Sequence, residues 1–83
     1  MPNESRLVLK NKMRTSLVLN IEPEALEFEL ACGDEVTVCD AFETAPATLE
    51  IAELEDGRPV ISIWPGDGTV RVMKNGVELL DLV

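Results

Sequence analysis

Three kinds of side chain in this 83-residue chain could carry chemistry: two cysteines, sixteen carboxylates (one of them an aspartate set between glycines) and a single tryptophan. Cys32 and Cys39 form a C-x6-C pair, which fits neither a zinc motif nor a thioredoxin motif. With no histidine in the chain, two thiolates cannot complete a four-ligand zinc site within it. If Gly33-Asp34 is a tight turn, Cys32 opposes Glu35 and Cys39 opposes Phe28. That puts the cysteines about 13 Å apart along the ladder, beyond the ~7 Å Cα limit of a disulfide. The expectation is two free, mostly buried thiols in a reducing compartment.

The carboxylates invite two readings. A hard cation such as Ca²⁺ takes oxygen ligands, and Glu53/Glu55/Asp56 and Asp34/Glu35 are the densest local sets. The D-x-D-x-D-G loop is missing, and turn carboxylates are generally solvated or local caps. Two carboxylates can also serve as glycosidase acid and base, but a chain this short has little room for a sugar cleft beside a core. Without histidine the commonest general base is lost as well. Asp67 in Trp64-Pro65-Gly66-Asp67-Gly68-Thr69 is not a phosphate loop, since no Lys-Ser/Thr follows it and a strand does. A turn accounts for its glycines. Trp64 ends an apolar strand just before that turn. It is either half-buried at a sandwich edge or an exposed anchor for a partner. The expectation is no catalytic residue, no metal and no cofactor.

Charge limits the partners further. From Thr15 to Gly57 there is no Lys or Arg, and twelve of the sixteen acids fall there. The net charge of −9 argues against binding DNA, RNA or an anionic membrane, since phosphate recognition needs a basic footprint. No apolar run approaches the ~20 residues of a membrane helix. The first residues lack a signal-peptide pattern. A cytoplasmic protein is the default expectation.

These residues must be positioned by strands. Residues 1–5 read as a loose leader and Arg6–Lys10 as a first strand, followed by a polar turn through Thr15. Ser16–Ile21 alternates Leu17, Leu19 and Ile21 against Ser16, Val18 and Asn20, the period of a half-buried strand. The two segments make a plausible hairpin. Ala25–Cys32 has helix-favouring residues, but Leu26, Phe28 and Leu30 alternate with Glu27 and Glu29, which decides for a strand. Glu35–Cys39 follows with Val36 and Val38 inward, then a loop over Asp40–Pro46 with room for a helical turn. Thr48–Leu54 places Leu49 and Ile51 on one face and Ala52 and Leu54 on the other, a phase slip that suggests a bulge or a strand end. Val60–Trp64, Thr69–Lys74 and Val77–Leu82 complete the set. Asn75-Gly76 between the last two is a strong hairpin signal. The chain is therefore expected to be one all-β domain over residues 1–83. Its fold class is a small antiparallel β-sandwich, or a partly open barrel, of seven or eight short strands with an aliphatic core.

The segments Leu17–Pro23 (L-x-L-x-I-E-P), Leu26–Leu30, Gly33–Val36 (G-D-E-V) and the closing Val70–Gly76 hairpin resemble a group of small uncharacterised bacterial β-sandwich proteins. Members share an E-P after the second strand and a G-D or G-E before the fourth. The resemblance implies the fold; it implies no activity and carries over no functional residue.

The leading functional expectation is a non-catalytic protein-binding or accessory module. It would present Glu27, Glu29, Glu35, Glu50 and Glu53, with Trp64, to a basic protein partner. One alternative is a nucleic-acid mimic that occupies the groove of a basic nucleic-acid-binding protein. Another is a self-associating structural β protein, a homodimer through the C-terminal hairpin using Leu80 and Leu82. A bland reading also stands, in which the acids are a solvated face that keeps a small β protein soluble.

Overall fold

The computed structural model describes residues 3–79. It is all-β, with eight strands: β1 (Asn3–Lys10), β2 (Leu17–Ile21), β3 (Leu26–Leu30), β4 (Glu35–Phe42), β5 (Thr48–Glu53), β6 (Pro59–Trp64), β7 (Thr69–Lys74) and β8 (Val77–Glu78). They form two four-stranded sheets. Sheet I runs β1-β4-β7-β8 and sheet II runs β3-β2-β6-β5. The core between them is aliphatic, centred on Leu17, Leu19, Ile21, Leu30, Val36, Val38, Ile63, Val72 and Leu79. Leu26 and Phe28 pack against it from β3, while Glu27 and Glu29 stand in solvent. The period-two pattern of that segment thus overrides its helix propensity.

The pairing departs from the sequence reading in several places. Strand β1 starts at Asn3, so residues 3–5 are ladder and not leader. The expected first hairpin does not form. Strand β1 pairs with β4, and β2 lies in the other sheet between β3 and β6. Asn11 explains the separation. It is 2% exposed, and its Nδ2 donates to the carbonyls of Leu30 (2.8 Å) and Thr15 (3.1 Å), while its Oδ1 accepts from the Met13 N–H at 2.9 Å. Its own backbone bonds Asp34 and Gly33. The chain is therefore pinned to the β3–β4 connection just where it crosses between sheets.

The β3–β4 turn is likewise a crossover and not a hairpin, so Cys39 does not oppose Phe28; it stands in register with Arg6 and Arg71 in sheet I. Both thiols are free, but Cys32 is exposed and Cys39 half-buried, so the expected burial does not hold. Strand β4 runs on to Phe42, through half of the expected loop. Strand β5 pairs with β6 in unbroken register and ends at Glu53, so the phase slip at Ala52 and Leu54 marks the strand's end and not a bulge. Its inward residue Ile51 is 78% exposed, because β5 is an edge strand that sheet I does not cover. Val18, expected outward, is 2% exposed. It lies in a central strand, and the Arg58 side chain reaches from the residue just before β6 to Glu29 on β3, across β2. The pair β2–β6 is parallel, the one non-antiparallel pairing among the described strands.

Asn75-Gly76 forms the expected tight turn, with φ of 49° and 85°, the positive values a type I′ turn requires. Lys74 pairs with Val77, and the Leu79 N–H donates to the Val72 carbonyl. Leu80 and Leu82, expected to extend this hairpin and to form a dimer surface, lie outside the described residues.

Candidate binding face

Sheet II presents its outer face to solvent, and register decides what stands there. Glu27 pairs with Asn20, Asn20 with Ser62, and Ser62 with Glu50, so one polar row crosses all four strands. Three strand spacings separate its terminal carboxylates by about 14 Å. The next row is Glu29, Val18, Val60 and Ala52. On the other side of the polar row, Trp64 pairs with Thr48. Its indole is 41% exposed, so it is neither core nor fully solvated. The strand β6 alternation that sends Ile61 and Ile63 inward is what turns Ser62 and Trp64 outward.

Of the six residues singled out from sequence, Glu27, Glu29, Glu50 and Trp64 are brought together on this face. Glu35 and Glu53 are not. Glu35 stands opposite Lys10 on the outer face of sheet I. Glu53 pairs with Pro59 at the end of β5, on the side that faces the core layer. The base-free stretch is thus not one surface. Its acids divide between the sheet II face, the outer face of sheet I (Glu35), the core-facing side of β5 at its end (Glu53), the turns and, in the case of Asp40, the interior.

Arg58 closes one corner of the face. Its Nη1 donates to Glu29 at 3.1 Å and its Nε to Asp56 at 2.9 Å. The Arg58 backbone N–H, and then its guanidinium, hold the Asp56 carboxyl below its ordinary range. Glu27 and Glu50 take part in no ion pair among the described residues.

Two aspartates play structural parts that sequence reasoning missed. Asp67 is a staple for the β4–β5 connection. Its carboxylate accepts from the N–H groups of Glu43 (2.9 Å), Thr44 (2.9 Å) and Ala45 (3.1 Å) and from the Thr44 hydroxyl (2.8 Å). The Thr44 N–H above all, then its hydroxyl and the Glu43 N–H, pull the Asp67 carboxyl down to about 2. The flanking glycines serve close approach: a Cβ on Gly66 would collide with the Ala45 carbonyl oxygen, and one on Gly68 with that of Ala41. Gly-Asp-Gly was the available signal, and it read only as a turn. Asp40, 5% exposed on the core-side face of β4, accepts from the Ala47 N–H at 2.8 Å.

On the opposite side of the molecule, a shallow depression of about 600 Å³ lies on the outer face of sheet I. Cys39 sits there in register between Arg6 and Arg71. Arg71 is engaged by Glu78 in a two-point ion pair. Among the described residues no group of three or more Cys, Asp or Glu is placed to hold a metal ion, and no helix is long and apolar enough to cross a membrane.

Comparison with protein-family models, curated proteins and solved structures finds no match to this chain.

Proposed function

We propose that this chain is a non-catalytic, cytoplasmic protein-binding module whose working surface is the outer face of sheet II, and that its partner is a basic protein. The observation that carries this reading is the Glu27–Asn20–Ser62–Glu50 row with Trp64 beside it. A half-exposed indole on a rigid strand is an anchor that loses little entropy on binding. Carboxylates at either end of a neutral amide and hydroxyl select lysines or arginines of matching separation and raise the encounter rate.

The experiment is capture of partners from source lysate on the immobilised chain, with each captured partner then titrated. Trp64→Ala should weaken binding by at least tenfold, the scale of an interface anchor. Glu27→Lys with Glu50→Lys should slow association and flatten its salt dependence. Binding unchanged in both variants would sink the proposal. If duplex DNA competes for the same partner, the carboxylates act as a phosphate mimic, and the partner is a nucleic-acid-binding protein.

A further inference from the structure

We propose that β1 is a self-pairing edge: two copies of the chain join antiparallel along this strand, about a twofold axis at Leu7. The first observation is the edge itself. Strand β1 pairs with β4 on one side over all eight residues, with no break in register and no proline. Its other side has no neighbouring strand among the described residues. A long, regular, unpaired edge is a template for another strand. The remaining edges are shorter: β3 has five residues, β5 six and β8 two.

The second observation is apolar surface left open beside this edge. Leu7 is 44% exposed and Val8 52%, one on each face of the strand. Leu7 also lines a cleft of about 130 Å³ with Val38, Pro46 and Leu49. That cleft lies between the edge strands of the two sheets, β1 and β5, and Ile51 on β5 is the most exposed large apolar residue described. The sandwich is therefore incompletely closed on the side where β1 is free.

The third observation is charge complementarity, and it is what selects a second copy as the occupant. Pairing β1 with itself about Leu7 sets Leu7 against Leu7, Arg6 against Val8, Ser5 against Leu9 and Glu4 against Lys10 of the second copy. Glu4, Arg6, Val8 and Lys10 all point to the outer face, so each opposed pair shares a face as an antiparallel ladder demands. Symmetry produces the Glu4–Lys10 pair twice, and no like charges are opposed. The joined sheets would run β8-β7-β4-β1-β1-β4-β7-β8, with Leu7 and Ile51 drawn into a continued core. Such an isologous contact consumes its own edge and closes at two copies.

Sedimentation equilibrium over a wide concentration range tests this on the full chain. The wild-type chain should dimerise. Glu4→Lys and Lys10→Glu should each raise the dimer dissociation constant by about tenfold, because two attractive cross-strand pairs become repulsive. The double exchange should restore it. In a Cys32→Ser, Cys39→Ser background, Leu7→Cys should be trapped as a covalent dimer by oxidised glutathione, which is reduced as the disulfide forms. Opposed Cα atoms in an antiparallel ladder lie about 4.5–5.5 Å apart, within disulfide reach. Val8→Cys, standing opposite Arg6, should not be trapped. Far-UV circular dichroism confirms that each variant is folded. A wild-type chain that stays monomeric overturns the proposal. So does a dimer that ignores both charge variants and is not trapped at Leu7, which would place the contact elsewhere, the C-terminal hairpin included.

Discussion

At the scale of single residues, the carboxylates of this chain do unlike things. Asp67 is bound by three backbone N–H groups and a hydroxyl, and its pKa falls from 3.8 to about 2. A carboxyl depressed in the folded state contributes stability above its unfolded pKa and loses it as pH falls through the folded value. Asp34 is lowered in the same sense, first by the Ala31 N–H and then by the Asn75 amide. The melting temperature should therefore drop between about pH 4 and pH 2. Asp67→Asn should melt lower than wild type at pH 7 and show a smaller drop across that window, which thermal scans at each pH would measure. Asn11 makes a sharper case because it is buried. Asn11→Ala strands the Leu30 and Thr15 carbonyls and the Met13 N–H, and should cost about 2–4 kcal/mol in urea denaturation. Neither role was legible in sequence. An asparagine in a polar turn and an aspartate between glycines look local, and both act across more than fifteen residues of separation.

At the scale of elements, alternation proved a reliable guide and connectivity did not. Leu17/Leu19/Ile21, Leu26/Phe28/Leu30 and Val36/Val38 all face the core as their spacing required, because side-chain direction in a strand is a local property. Which strand pairs with which is not local. Nothing in Asn11–Thr15 distinguishes a hairpin turn from a crossover; the difference lies in contacts made with Leu30 and Asp34. Strand β7 can approach β4 and the start of the β4–β5 loop only because residue 68 lacks a Cβ. Gly68→Ala would drive a methyl into the Ala41 carbonyl, backbone against backbone, and should cost about 3 kcal/mol or more, read as a lowered denaturation midpoint. By contrast, Leu19→Ala should cost about 2–5 kcal/mol by opening a cavity at a fully buried site, with the fold retained.

At the scale of the whole molecule, a net charge of −9 is spread over a body of 41 × 25 × 23 Å. Self-repulsion at this density opposes compaction, and added salt screens it. Raising ionic strength at pH 7 should therefore raise the melting temperature of the isolated chain while weakening its capture by a basic partner. Opposite responses of folding and binding to one variable separate a functional acidic face from a merely solvated one. The proposed binding face lies on sheet II and the proposed self-pairing edge in sheet I, so the two do not compete. A dimer would present two acidic faces and gain avidity for a partner with repeated basic segments.

The sequence by itself determined the all-β class, the aliphatic core and the inward residues of β2, β3 and β4, the Asn75-Gly76 turn and the exposure of Glu27 and Glu29. All of these rest on alternation, turn chemistry and composition, which act over a few neighbouring residues. Tertiary structure alone decided that β2 and β6 run parallel, that the chain crosses between sheets at Asn11 and Gly33, and that Glu27 and Glu50 share a row while Glu35 and Glu53 leave it. It also left the β1 edge open. Such facts depend on register between strands far apart in the chain, and register is set by the summed fit of two packed sheets, which no single segment encodes.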